Sequence, residues 1–326
     1  MTTKILSCLV LVLAISWPTP ALTDDPRIEI HFIDVGQGDS TLVICPNGKT
    51  ILVDAGSSSG RSFELVRDYL IQQLDKHSRR VDTLIITHPD IDHYNLLADV
   101  LEDIPIGKIF MTGKKKDFMQ SFRPWLTKYQ AITKVVASTY FDNKDHPNPS
   151  INCGQARVHI LAASIKPTST VKNTWSIVLK ISYDKFDVIL TGDATKDTES
   201  VILERFPQEW LESEVLKMGH HGSRVTSTGQ PWSDAVKPKI AIASAGEKNQ
   251  YGHPSKEVID RLAVYTKDDS AAHSMISATG KKPHYQWHEV DNFTEAIYST
   301  AASGNIVITS DGGQDPEIAE VPYPEQ

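Results

Sequence analysis

Cysteine is scarce in this chain, with three in 326 residues. None stands in a CxxC pair, so a zinc ribbon or a dithiol redox centre is not expected. Cys8 falls in an N-terminal apolar stretch, with too little apolar sequence before it for a lipid-anchored cysteine. Cys45 and Cys153 remain. An exported chain can join them, but two cysteines in a sequence do not show that they meet in space. Positive charge is also short: 33 Lys and Arg stand against 41 Asp and Glu, a formal net charge of -8. A protein that holds nucleic acid by bulk charge is basic, so the balance argues against that class, and against a polybasic membrane-surface binder. A locally basic cleft stays open. Beyond the first residues no apolar run is long enough to span a bilayer. What is present is a hydrophobic fraction of 40% against 23% charged, enough for a packed core.

The N-terminus reads as a separate segment. Lys4 precedes the apolar run Ile5 to Trp17, and small and polar residues follow from Pro18 to Thr23. This order matches a secretory signal peptide, with cleavage after Ala21 or Thr23. The run is shorter than the ~20 residues of a spanning helix, and an uncleaved anchor is the alternative. Residues 1–23 are thus expected to be a signal peptide, and 24–326 one exported domain, periplasmic or extracellular. No membrane span is expected after cleavage. Losing Lys4 deepens the acidic excess.

Strands dominate the remainder. Arg27 to Ile33 alternates polar and apolar residues, as a half-buried strand does. Thr41 to Cys45 and Thr50 to Val53 flank Pro46-Asn47-Gly48, a hairpin signal. Asp34 to Ser40 and Asp54 to Gly60 read as Gly-punctuated turns. Leu65, Val66, Tyr69, Leu70 and Leu74 share a helical face over Ser62 to Lys76. Further strands are expected at Val81–Thr87, Lys108–Met111, Val158–Leu161, Ser176–Ser182, Asp187–Leu190, Glu214–Met218, Lys239–Ser244 and Asn305–Thr309. Helices are expected over Lys114–Ala131, with a break near Pro124, and over Glu257–Thr266. Residues 267–294 are polar and His-rich without a clear period, a candidate inserted hairpin or loop. Strands alternating with functional loops and occasional helices predict an α/β (α+β) domain: two sheets in contact, with helices outside.

The strongest chemical signal is Thr87-His88-Pro-Asp90-Ile-Asp92-His93. Four metal-capable side chains follow an apolar strand within six residues. A rigid strand and a bending loop can aim them at one point, as a divalent metal requires. Alone, the pattern could be a solvated loop with an N-capping Asp. Partners at other strand ends make it specific. Leu190-Thr-Gly-Asp193 sets a carboxylate at the mouth of a sheet. Leu216-Lys-Met-Gly-His220-His221-Gly222-Ser223 places two histidines after a strand, where one can ligate metal while the other faces substrate.

These three blocks in this order resemble the metallo-β-lactamase-fold hydrolases. The closer resemblance is to the ComEC-type branch, the nuclease-like domain of a DNA-uptake channel and its stand-alone relatives. Phe32-Ile-Asp-Val-Gly-Gln-Gly-Asp-Ser40, Asn173-Thr-Trp-Ser-Ile-Val-Leu179 and Tyr251-Gly-His253-Pro254 support it, and it covers about residues 28–312. The channel's membrane segments are absent from this sequence. The resemblance implies an αββα four-layer sandwich with a metal site on one edge of the two sheets. It implies His88 and Asp90 at a first metal position, Asp92 and His93 at a second, and Asp193 bridging both. One of the adjacent histidines completes the second position; His221 is favoured as ligand and His220 for the substrate.

The pattern departs from the wider family twice. Asp90 stands where His is commonest, and the usual third histidine of the first site is replaced by the region of Asn173 and Ser176. Oxygen in place of imidazole weakens the preference for zinc and favours harder ions such as manganese. One or two divalent ions are therefore expected, zinc first and manganese as the alternative. A bound ion would acidify water for attack on a phosphoryl or carbonyl centre. Asp92 could take the proton, while His220 or His253 serves the developing anion or the leaving group.

The function expected is an exported metal-dependent hydrolase, a phosphodiesterase of nuclease-like kind acting on a phosphate ester, with nucleic acid as the candidate partner. Lys114–Lys116 and Lys281-Lys282 are candidate basic patches for it, although exposed charge runs are usually solvated faces. The alternative is an esterase of a phosphorylcholine-type or other small phosphate ester in the envelope. Trp125, Trp175, Trp232 and Trp287 would then supply an aromatic cage. A non-catalytic binding module and a true β-lactamase fit the motif set less well. Asp34, Asp39 and Asp54 sit near strand ends, with Asp39 the candidate to orient a ligand histidine. Lys217 is given no role, because its strand face is open. His31, His77, His146 and His159 have no motif context, and His273, His284 and His288 read as part of a solvated loop.

Overall fold

The computed structural model describes residues 26–59, 63–266 and 268–323. The candidate signal peptide, Met1 to Thr23, lies outside them. Eight strands form one sheet: β1 (Ile28–Phe32), β2 (Gln37–Ile44), β3 (Thr50–Ser59), β4 (Val81–Ile86), β5 (Ile106–Thr112) and β6 (Thr133–Val136), joined by β15 (Asn305–Ser310) and β16 (Glu317–Val321) on the far side of β1. Six form the other: β7 (Arg157–Ala162), β8 (Val178–Tyr183), β9 (Phe186–Leu190), β10 (Val215–Lys217), β11 (Ile240–Ala243) and β14 (Ile297–Ser299). A separate two-stranded hairpin, β12 (Asp268–Lys281) with β13 (His284–Glu295), occupies the candidate insertion.

Alternation along the strands explains the layers. In β3, Ile51 and Val53 face the other sheet while Leu52 faces helices; in β9, Val188 and Leu190 face inward and Ile189 outward. Period two does this, because successive side chains point to opposite faces. The inner faces meet in one core that includes Phe32, Ile85, Phe110, Leu179 and Ile242. The outer face of the first sheet is covered by the helix Phe63–Asp75 and its neighbours, which bring Val66, Leu70 and Leu74. The outer face of the second is covered by Lys196–Arg205, Gln230–Val236 and Lys256–Leu262, with Ile202, Trp232 and Val258. The result is a helix–sheet–sheet–helix sandwich, as expected.

Several local expectations need correction. Asp34–Ser40 and Asp54–Gly60 are not simply turns, because β2 starts at Gln37 and β3 runs to Ser59. The expected long helix over Lys114–Ala131 is a 3₁₀ turn at Lys115–Asp117 and a short helix, Arg123–Lys128. Pro124 lies in that helix's first turn, where its missing N–H costs nothing. His273 is buried, with Nε2 3.0 Å from the Ile297 carbonyl, so it is not part of a solvated loop. No helix among the described residues is long and apolar enough to cross a membrane.

Cys45 and Cys153 are joined by a disulfide across 108 residues of sequence, in the core between the sheets. Closing so long a loop limits the unfolded chain, typically worth about 2–4 kcal/mol. Cys45→Ser is accordingly expected to lower the unfolding free energy by about that amount. Urea titration checks this; an unchanged midpoint would mean that the bond contributes no stability.

Parallel pairing sets the site. β3, β4, β5 and β6 run parallel in the first sheet, and β9, β10, β11 and β14 in the second. Their carboxyl ends therefore release loops at one edge, where open α/β sheets gather ligands.

Candidate metal centre

Each chemical block leaves the carboxyl end of a parallel strand. His88 follows β4, and Ile91–His93 forms a 3₁₀ turn just beyond. Asp193 follows β9, His220 and His221 follow β10, and His253 follows β11. The turn at Asp92 and His93 needs a close backbone approach from β3. A Cβ on Gly56 would lie 2.4 Å from the Asp92 carbonyl carbon and the His93 nitrogen, so only glycine fits. His220 and His221 both take left-handed backbone, φ 48° and 56°. Two such non-glycine residues in a row are costly and cluster at functional sites. Here they turn one imidazole inward and leave the other on the pocket wall.

The side chains converge. His93 Nε2 lies 3.2 Å from Asp193 Oδ1; His221 Nε2 lies 3.6 Å from that same oxygen and 3.5 Å from Asp92 Oδ2. On the other side of Asp193, His88 Nε2 is 3.5 Å from Asp90 Oδ2 and 3.9 Å from Asp193 Oδ2, while His220 Nε2 is 3.5 Å from Asp193 Oδ2. Four compact groups among the described residues could hold an ion: Asp92, His93 and His221; His88, His93 and Asp193; Asp39, Asp54 and His93; and Asp39, Asp193 and His221. Asp90, Asp92, Asp193, His220, His221 and His253 line one pocket of about 270 Å³. Every residue singled out from the sequence for metal or catalysis is thus at this edge.

Hydrogen bonds fix how the imidazoles face. His93 Nδ1 donates to Asp54 Oδ2 at 2.8 Å, and His221 Nδ1 donates to the Ser244 carbonyl at 2.7 Å. Each ring therefore directs an Nε2 lone pair at the centre. His88 Nε2, His93 Nε2, His221 Nε2 and Asp193 Oδ1 are buried and have no hydrogen-bond partner. Buried polar atoms are almost always paired. Three imidazole nitrogens gathered on either side of one carboxylate are the donor set that bound divalent cations would satisfy. The separations of His93 Nε2 and His221 Nε2 from Asp193 Oδ1, 3.2 and 3.6 Å, and of His221 Nε2 from Asp92 Oδ2, 3.5 Å, are close to the about 3.3–3.6 Å between ligands about 2.0–2.2 Å from one ion.

Without an ion the proton takes that role. Burial disfavours a charged His93, but the charges of Asp193 and Asp54 outweigh it and hold the group well above the ordinary imidazole range. His221 is also raised, burial being overcome by Asp193 and Asp92. Burial pushes Asp193 up, yet the surrounding histidines His221, His93 and His220 bring it well below the usual carboxylate range. His253 is pushed down to about 3, by burial first and then by the charges of His221 and His220.

Two outer residues differ from expectation. The carboxylate that orients a ligand-type histidine is Asp54, not Asp39. Asp54 also accepts from Thr87 N at 2.8 Å and Thr87 Oγ1 at 2.6 Å. Asp39 instead pairs with Lys217 Nζ at 2.5 Å. Lys217 is buried and faces the cluster, so its strand face is now settled. Sequence reasoning also missed Gln37 and Lys172. Gln37 lines the pocket and accepts from Gly246 N. Lys172 Nζ stands 3.3 Å from Asp90 Oδ1. Asn173 Nδ2 donates to Asp193 Oδ2 at 3.2 Å, beside the position of the missing histidine. None of the four tryptophans lines this pocket.

Residues 33–246 match the metallo-beta-lactamase superfamily. The chain is 32% identical over 252 residues to ComE operon protein 3 of Bacillus subtilis, covering 72% of this chain and 30% of that one. It is 28% identical over 245 residues to Recombination protein 2 of Haemophilus influenzae, covering 74% and 27%. It is 26% identical over 252 residues to Competence protein ComA of Neisseria gonorrhoeae, covering 76% and 31%. The chain spans under a third of the length of each of these relatives.

Proposed function

The chain belongs to the metallo-β-lactamase superfamily and is a metallo-hydrolase of its ComEC-like branch, and on that premise we propose that it is an exported phosphodiesterase acting on nucleic acid. The observation that carries the reading is the set of four buried, unpartnered atoms around Asp193. The recombination and competence names of two relatives favour a nucleic-acid substrate. The disulfide between Cys45 and Cys153 favours an oxidising compartment, in keeping with the signal peptide expected from the sequence.

Asp92, His93 and His221, with Asp193 as the shared carboxylate, would hold the tighter ion. The rings of His93 and His221 are braced from behind by Asp54 and the Ser244 carbonyl. His88, Asp90 and the second oxygen of Asp193 would hold a weaker one. Lys172 beside Asp90 places a fixed positive charge there and opposes a second cation. Divalent zinc or manganese held at these residues supplies Lewis acidity and makes water a nucleophile near neutral pH.

The chain's own residues do the rest. Asp54 and the Ser244 carbonyl keep the two imidazoles in the tautomer that presents Nε2. Asp92 is partly open to the pocket, but against burial His221 and His93 bring its carboxyl well below the usual carboxylate range, which suits a metal ligand better than the proton acceptor expected from the sequence. His220 and His253 stand on the wall facing Asp193 and are placed to hydrogen-bond the developing anion or the leaving oxygen. His220 is held in that pose by Nδ1 at 2.6 Å from Thr226 Oγ1. The phosphorylcholine alternative is less favoured, because none of its four candidate tryptophans lines the pocket.

Assaying the purified protein with zinc or manganese on bis-nitrophenyl phosphate, single-stranded DNA, nitrophenyl-phosphorylcholine and a cephalosporin tests the proposal. Turnover of the first two, with neither of the others cleaved, is the expected result. Release of phosphorylcholine without cleavage of DNA would overturn the nucleic-acid reading.

A further inference from the structure

Beside the metal pocket lies a second cavity of about 330 Å³, sharing Tyr251 and His253 with it. Its volume lies within the range of small-ligand sites, about 300–1,000 Å³. Its other walls carry Arg224, Lys281, Lys282 and Tyr285, and no carboxylate lines it. In a chain with a net charge of -8, a cavity with three cationic side chains and no acid is a local inversion of sign. Arg224 is tied to Glu257 and to the Gly280 carbonyl, so it braces the wall. Lys281 and Lys282 are exposed and make no ion pair among the described residues, so their charges are available.

This cavity exists because the β12–β13 hairpin is fastened to the loop that carries His253. Ala278 N donates to the Pro254 carbonyl at 2.9 Å. The Tyr285 ring lies against Gly252 so closely that a Cβ there would come within 2.5 Å of it. The hairpin's turn thereby holds two lysines and a tyrosine next to the candidate catalytic histidines. Tyr251, on the shared wall, is exposed.

We propose that this cavity is a subsite for the nucleotide next to the cleaved phosphate of a single-stranded nucleic acid, its phosphate held by Lys281 and Lys282 and its base laid on Tyr251 or Tyr285. A polyanion supplies the charge the cavity selects. Stacking on tyrosine is available to any base, so the subsite is sequence-tolerant. A small concave space admits an unpaired nucleotide and excludes a duplex. The inference rests on the phosphodiesterase reading above.

The test uses the full chain with its metal and a fluorescent phosphorothioate dT10 strand, which keeps its charges and resists cleavage. Anisotropy is read as a function of salt. Lys281→Glu/Lys282→Glu is expected to weaken binding at least tenfold. Losing two phosphate contacts should also flatten the log–log salt slope by more than about one unit, at about 0.7 per contact. Lys281→Ala/Lys282→Ala, which cannot be accused of new repulsion, should flatten the slope equally. Lys128→Glu/Lys134→Glu, the same charge change on another face, should leave the affinity within twofold. Equal binding and slope in the wild type and both Lys281/Lys282 variants would overturn the subsite. Hydrolysis of bis-nitrophenyl phosphate by the wild type tests the phosphodiesterase reading separately, so either idea can fail alone.

Discussion

Asp193→Ala is expected to lower phosphodiester turnover by a factor of at least about 10³, the loss of several kcal/mol of metal-assisted stabilisation. Among the described residues, Asp193 is the one carboxylate that faces His88, His93, His220 and His221 together. Without it, each group of nitrogens loses the anion that makes a cation welcome. The fold should survive, because Asp193 belongs to none of the three hydrophobic clusters. Circular dichroism and a cooperative melt check that point, and His93→Ala should behave alike. A folded Asp193→Ala protein with wild-type turnover would remove Asp193 from the chemistry.

The second large effect is expected at a residue that touches no substrate. Asp54 holds the Nδ1 proton of His93 and two donors of Thr87. In Asp54→Asn the single oxygen can keep either the Thr87 N–H or the Thr87 Oγ1 and His93 Nδ1 pair, and the negative charge is lost either way. Metal affinity should fall about 10–100-fold, the usual cost of losing such a partner. The pH dependence has a definite sign. In the metal-free protein, His93 and His221 keep their protons to higher pH than free imidazole. An ion must displace those protons, so affinity is greatest above the raised pKa values and falls as pH drops through them. Asp54→Asn removes one charge that raises His93, so its pH midpoint should move down even as its affinity drops. Metal titration from pH 5 to 9 separates these two effects. A midpoint unmoved in Asp54→Asn would mean that Asp54 does not hold the His93 proton.

The ligand-type residues were legible because each follows an apolar strand, and parallel strands deliver their loops to one edge. Layering was legible too, since unbroken apolar runs such as Ile51, Leu52 and Val53 are what a strand covered on both faces requires. The choice between Asp39 and Asp54 was not. The β2–β3 ladder shifts register between Gln37 and Gly38 and again between Asp39 and Thr41. Each one-residue slip exchanges the faces of the strand, and bulges leave no clear mark in the residue types. Lys217 was in principle readable. It lies two residues after the inward Val215, but a buried lysine contradicts the usual expectation for that residue type. The hairpin showed no period because most of β13 is partly or fully open to solvent. Its bearing on the site depends on where its turn lands, a long-range fact that neighbouring residues do not encode.

The central claim is that four buried atoms around Asp193 exist to hold a divalent cation. Measuring bound metal by mass spectrometry, in the wild type and in Asp193→Ala purified side by side, tests it most directly. One tightly held ion per wild-type chain, a second that leaves on mild chelation, and little metal in the variant is the result predicted here. A wild-type protein that binds no zinc or manganese at pH 8, yet hydrolyses phosphodiesters in the presence of chelator, would contradict it.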